Sequence, residues 1–323
     1  MKLPHSDNVL FGEVMMPHEL AHQWFGDQVS WASYHEQWLM EALANYCALL
    51  LLEPTNPGDV QTMLEMYRTF LAAKSKDGLP TVEAGPVTLG FRLSSSKFPN
   101  GYEIITYGRG TWLIHMLRTM LRDGSRTAAS PDGDDKVFLT VLRNLVQRHR
   151  GQELTNAQFE KAFEEVLPRS LWFEGHPSLD WFFDGWVNGT AFPQFELKGV
   201  KFTGAGESRH VSGTIRQTSA PPDLVTSMPV YGVAGDKQIY LGRVFAEGET
   251  TQFTLRAPAQ VTKLVLDPHG TVLTKPEHTN NPSVAGSESS PGPICPPTSS
   301  QESMLTGSAP VFVLTNCQPP PKP

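Results

Sequence analysis

Two histidines four residues apart, with a glutamate after a gap of eighteen residues, constrain this chain more than any other feature. They read His18-Glu19-Leu20-Ala21-His22, and then Glu41. On a helix, residues four apart share one face about one turn from each other. Both imidazoles can then reach one small cation, at about 2.0–2.1 Å if it is zinc. Two histidines need a third ligand, with a fourth position left for water. Glu41 is the natural third ligand once a second helix packs beside the first. Glu19 follows the first histidine and points to the flank of the metal, where it can take a proton from water.

A bare His-Glu-x-x-His pattern also occurs in helices that bind nothing, so its surroundings matter. It runs on into Gln23-Trp24-Phe25-Gly26-Asp27, and Glu41 lies in Trp38-Leu39-Met40-Glu41-Ala42-Leu43-Ala44. Together these resemble the M1 family of zinc aminopeptidases, in the gluzincin group. That family follows its histidine motif with a Gln-Trp-Phe-Gly-like run, eighteen residues and a Trp-Leu-Asn-Glu-Gly-like segment. Thermolysin-like gluzincins have a gap one residue longer. The resemblance implies a mainly α, thermolysin-like zinc-peptidase catalytic domain with one Zn2+ on His18, His22 and Glu41. It also implies a peptide substrate that loses its N-terminal residue.

A second marker is Tyr107-Gly108-Arg109-Gly110-Thr111-Trp112-Leu113. The family's counterpart is Tyr-x-Lys-Gly, whose tyrosine stabilises the tetrahedral intermediate opposite the metal. Tyr107 is therefore the expected oxyanion donor, a role worth on the order of 3 kcal/mol. Tyr102 matches a tyrosine that some members also place near the site. Both also suit plain core aromatics on a helix. Arg109 stands where lysine is usual and keeps the charge without the geometry.

Other positions depart from the family pattern. Its Gly-x-Met-Glu-Asn segment, whose glutamate binds the substrate's free amino group, does not occur in residues 1–17. Glu13 is the only nearby carboxylate, and it does not match that motif. A large N-terminal β domain is also absent, leaving a missing N-terminal domain as an expected partner. Met40 and Ala42 replace the usual asparagine and glycine beside Glu41. The alternative expectation is thus a truncated portion of a longer M1 enzyme, metal-binding but inactive alone.

The 323 residues suffice for two domains. A net charge of −7 with no basic stripe argues against nucleic acid. No apolar run is long enough to span a membrane, and Met1–His5 lacks the apolar core of a signal peptide. Cys47, Cys295 and Cys317 form no disulfide framework or zinc pattern, and Cys47 reads as a buried thiol.

The expected organisation is a helical catalytic domain over 1–192, a small β-sandwich over 193–275 and a disordered Pro/Ser-rich tail over 276–323. Residues 1–16 suit the first turns of a helix or its approach, with Pro17 early in the metal helix. That helix should end at Gly26, after which Val29, Trp31 and Tyr34 fall in a connector. Further helices are expected over 36–53, 59–76, 102–122 and 136–150. Another should start at the capping box of Thr155 and Gln158, and a last aromatic one should cover 178–186. Asn45 lies one turn past Glu41, where support of the ligand and plain helix packing are both open readings. Residues 78–101 read as a surface connector, with Gly85-Pro86-Val87 and Leu93–Phe98 as the parts that could border the cleft. Phe195/Leu197, Ile239/Leu241, Phe253/Leu255 and Leu264/Leu266 alternate with polar residues and mark strands.

Overall fold

Helices, with two short strands among them, make up the chain from His5 to Val187, and longer strands follow from Gln194 to Leu266. The structure, a computed structural model, describes residues 4–276. The tail expected to be disordered, with Cys295 and Cys317, lies outside the described residues from Glu277 onward.

Of the two expectations for residues 1–16, first helical turns or an approach to them, the chain takes the helical one from His5. α1 (His5–Val9) passes through a π-helical stretch (Leu10–Val14) into α2 (Met15–Ala21). Pro17 therefore lies well inside a continuous helix rather than near its start. Its ring would clash with the carbonyl of residue 13, and a widened turn just before it gives the room. After α2 the chain makes a tight turn and returns as β1 (Val29–Trp31). Gly26 takes a φ of +139° there, which only glycine adopts without strain.

Residues 29–31 are a strand and not part of a connector. β1 pairs in parallel with β2 (Gln152–Leu154), Val29 opposite Gln152 and Trp31 opposite Leu154. The partner lies over a hundred residues away, so no local alternation could announce the pairing. α3 (Gln37–Leu52) follows, buried around most of its girth, with Trp38, Leu39, Leu43 and Tyr46 inside. A helix apolar on all sides belongs in the middle of a core. α4 (Pro57–Ala72) begins with proline at its first turn and buries Val60, Leu64, Tyr67 and Leu71.

The connector over 78–101 contains two short 3-10 segments, Thr81–Ala84 and Val87–Leu93. α5 (Gly101–Glu103), a π-helical stretch (Ile104–Arg109) and α6 (Gly110–Gly124) then form one long helical path. α7 (Lys136–Arg148) and α8 (Asn156–Glu164) close the helical part. Thr155 and Gln158 cap α8 reciprocally, as their spacing predicts. The aromatic segment is helical from Asp180, as α9 (Asp180–Phe182) and a π-helical stretch (Phe183–Val187). Its Phe182 and Trp186 are fully buried core.

The strand region forms two antiparallel three-stranded sheets. One has the order β3 (Gln194–Thr203), β4 (His210–Thr218), β7 (Thr250–Arg256). The other has the order β6 (Lys237–Glu247), β5 (Val225–Ala234), β8 (Lys263–Leu266). β4 and β5 are the strands that the alternating pairs do not mark. β5 is buried on both faces from Val225 to Tyr231, so it has no period of two. Trp186 donates to the Val225 carbonyl at 2.9 Å, and Arg243 pairs with Asp123 at 2.8 Å. Helices and strands share one compact unit through Pro276.

Candidate metal centre

Two helices bring the ligand positions together. His18 sits on α2, His22 caps that helix at its C-terminal end, and Glu41 lies on the first half of α3. The Nε2 atoms of the two histidines stand 3.0 Å apart. Glu41 Oε2 lies 3.6 Å from His18 Nε2 and 3.4 Å from His22 Nε2. His22 Nδ1 donates to the Phe25 carbonyl at 2.9 Å, which fixes the ring and leaves Nε2 as a lone-pair donor. Sequence reasoning missed this contact, although the turn at Gly26 is its local signal.

The residues fit a single cation. Tetrahedral donors at zinc–ligand bond lengths stand about 3.3–3.4 Å apart, close to all three separations. Glu41 Oε2 is buried and makes no hydrogen bond. A buried, unpartnered carboxylate oxygen facing two imidazole nitrogens is costly unless a positive charge is shared among them. Two imidazoles and one carboxylate are also a donor set suited to zinc.

Electrostatics at the site follow from the same packing. Burial works against the Glu41 charge, but the two histidines outweigh it and hold the carboxyl down to about 2. Burial likewise opposes charge on His22, and Glu41 more than compensates, so its pKa rises. Tyr107 lies over His18, ring centres 5.6 Å apart, with its hydroxyl against Glu41. Burial first and the Glu41 charge second lift the Tyr107 pKa far above the usual phenol range. Tyr102 stands edge-on to Tyr107 at 6.3 Å and is raised in the same way. Glu19 is exposed at the end of α2, and its charge acts on both His22 and Tyr107. The structure thus brings the expected ligands His18, His22 and Glu41 together, with Tyr107, Tyr102 and the Glu19 charge beside them.

Arg109 points away from them. It is fully buried, and its two Nη atoms donate to the carbonyls of Ala191 and Trp186 at 2.8 Å each. The fork of a guanidinium reaches two acceptors at once, which a lysine ammonium in the same place does not. Burial lowers its pKa to about 9, leaving it charged at neutral pH. The Asn45 side chain turns to Tyr67 and Thr111 and makes no hydrogen bond to the Glu41 carboxylate. The connector over 78–101 packs its 3-10 segment Val87–Leu93 against α3 and the Tyr107 stretch, so it borders the site.

The donor atoms of His18, His22 and Glu41 lie close enough together to hold one metal ion, with Tyr107 and the Glu19 charge beside them. Residues 6–186 match the model of the peptidase family M1 domain, more than half of the chain. The chain belongs to that family. It is 27% identical over 182 residues to aminopeptidase N of Lactococcus lactis subsp. lactis, covering 51% of this chain and 19% of that protein. With human aminopeptidase RNPEPL1 it shares 27% over 197 residues, 59% of this chain and 25% of the relative. Aminopeptidase N of Mus musculus is 31% identical over 117 residues, 34% and 11% respectively. The chain spans a quarter or less of the length of these relatives.

Proposed function

We propose that this chain carries the catalytic centre of a zinc-dependent peptidase that releases N-terminal amino acids from peptides. The observation that carries the reading is the triangle of His18, His22 and Glu41 donor atoms, flanked by Glu19 and Tyr107. His18, His22 and Glu41 would hold zinc, which when bound supplies Lewis acidity to a scissile carbonyl and to the attacking water. Glu19 faces solvent beside the ligands, so it can accept a proton from that water and return it to the leaving amine. Tyr107 stays protonated, because burial and the Glu41 charge both oppose its ionisation. Its hydroxyl is then a donor for the oxygen that becomes negative. Residues 1–192 are the proposed thermolysin-like catalytic domain, and 193–275 a small β-sandwich behind it.

A second observation bears on whether the chain works alone. Phe11, Met15, Met16, Leu20 and Trp24 expose their side chains along α2, its π-helical lead-in and the turn that follows. A large apolar stripe beside a site marks a surface that another segment covers. The relatives are at least four times as long as their matched parts. The alternative is that a further domain covers the stripe and supplies the carboxylate that anchors the substrate's amine.

Turnover of aminoacyl-coumarin and N-blocked peptide substrates by the zinc-loaded chain, beside Glu19→Gln, tests both. Activity on free amines that Glu19→Gln removes supports the aminopeptidase reading. Cleavage of blocked substrates instead overturns the N-terminal preference. A folded, zinc-loaded and inactive chain favours the incomplete-site alternative.

A further inference from the structure

The π-helical stretch Ile104–Arg109 packs more residues into a turn than an α-helix does. The direction in which Tyr107 points therefore depends on where the helix after it is fixed. Contacts on α3 and α4 fix it. The Gly110 backbone lies so close to α3 that a Cβ there would come within 2.8 Å of the Ala42 Cβ. One residue on, the Thr111 hydroxyl accepts from Asn45 Nδ2 at 2.8 Å. The same Nδ2 donates to the Tyr67 hydroxyl on α4, also at 2.8 Å. Tyr67 in turn packs against Gly108, next to Tyr107.

The spacing gives these bonds their meaning. Asn45 follows Glu41 by four residues, and Thr111 follows Tyr107 by four. The amide bridge thus repeats, one turn further on, the approach of Glu41 to Tyr107. Asn45, Thr111 and Tyr67 are all buried, so none of these polar atoms can turn to water instead. Apolar side chains tolerate a small slide between helices. An amide that serves two hydroxyls does not, because slippage strands each of them unpaired.

We propose that Asn45 is a positioning residue: by joining Thr111 to Tyr67 it sets the register of the tyrosine-bearing segment against α3. It acts through Tyr107 and touches neither substrate nor ligand. The chemical meaning of the inference rests on the peptidase reading, whereas its geometry does not.

The test uses the full chain labelled with 3-fluorotyrosine, with the Tyr107 fluorine resonance assigned by its loss in Tyr107→Phe. Asn45→Leu removes the donors at nearly constant volume, Thr111→Val exchanges the hydroxyl for a methyl, and Thr111→Ser keeps it. The Tyr107 resonance should move in Asn45→Leu and Thr111→Val and stay in place in Thr111→Ser. Zinc affinity, read by chelator competition, should change less than about threefold, since no ligand is touched. On aminoacyl substrates kcat should fall roughly 10- to 100-fold with KM little altered. The double variant should be no worse than the poorer single one. An unmoved resonance in the folded variants overturns the inference, as does an equal displacement in Thr111→Ser. If Asn45→Leu does not fold, Thr111→Val decides alone. A wild-type chain that binds zinc but turns nothing over defeats the peptidase reading, while the resonances still decide the positioning role.

Discussion

Gly110→Ala should destabilise this protein, against the usual effect of that exchange within a helix. Replacing glycine by alanine inside a helix normally stabilises by about 1 kcal/mol, because alanine has less backbone freedom to lose. At Gly110 the new methyl would come 2.8 Å from the Ala42 Cβ and 3.5 Å from the Trp38 ring. Carbon atoms prefer separations of about 3.5–4.0 Å. α3 is enclosed on most sides and Trp38 is fully buried, so the neighbour has nowhere to move. Overpacking of this kind costs about 1–3 kcal/mol. The balance is a net loss of up to about 2 kcal/mol, or a thermal midpoint lower by up to roughly 6 °C for a chain of this size.

Ala42 supplies the control. Ala42→Gly removes the atom that the new methyl meets, at a cost of about 1 kcal/mol in helix propensity. In the double variant the methyl is moved across the interface, and the clash disappears. The two changes should therefore couple favourably by about 1–3 kcal/mol, measured by thermal and urea unfolding followed by circular dichroism. Additivity within about 0.5 kcal/mol, or a Gly110→Ala variant more stable than the parent, would refute the close approach of the two helices.

Other expectations concern single side chains. Tyr107→Phe should lower kcat/KM on the order of 100- to 1000-fold with zinc stoichiometry unchanged, and loss of zinc would reassign Tyr107 to a structural role. Arg109→Lys should cost about 1–3 kcal/mol, because one of the two carbonyls it serves loses its donor, and an unchanged unfolding midpoint would contradict that. Glu160 is pushed up to about 7 by burial first and by Glu164, Asp180 and Asp184 second. The folded chain therefore holds that proton more tightly than the unfolded one, so stability falls as pH rises from about 4.5 to about 7. Screening at this half-exposed place limits the loss to about 1 kcal/mol. Glu160→Gln should raise the unfolding midpoint at pH 8 and leave it unchanged at pH 4, and an equal effect at both would exclude the charge as the cause.

The parts of the site visible in the sequence are those fixed by spacing along the chain. His18 and His22 share a face whatever surrounds them, and the capping residues of α8 need only each other. The bounds of α3 and α4 shifted by a few residues at most where hydrophobic periodicity met a proline or an exposed cap. Contacts between distant segments left no such trace. β1 has three residues and a parallel partner over a hundred positions away, so Val29 and Trp31 read as a connector. β5 is buried on both faces and hides its period. The replacement of lysine by Arg109 looked like a change in the site, yet it answers two carbonyls near the end of the helical part. Asn45 could be placed one turn from Glu41 but not assigned, because its partners lie on α4 and α6.

α3 links these observations. It carries the Glu41 carboxylate, the Ala42 contact and the Asn45 bridge within two turns, and it is buried on nearly every side. α2 is its opposite, packed on α3 by one face and open to water along the other. Ligand geometry must hold to within about 0.5 Å for a metal centre to be selective. Buried α3 provides that rigidity for Glu41, and the turn at Phe25–Gly26 provides it for His22 through one carbonyl. A cation held by both helices would therefore tie the less supported helix to the better supported one, and binding free energy would become local folding free energy. In this arrangement cation binding and the stability of α2 would be thermodynamically linked, each strengthening the other.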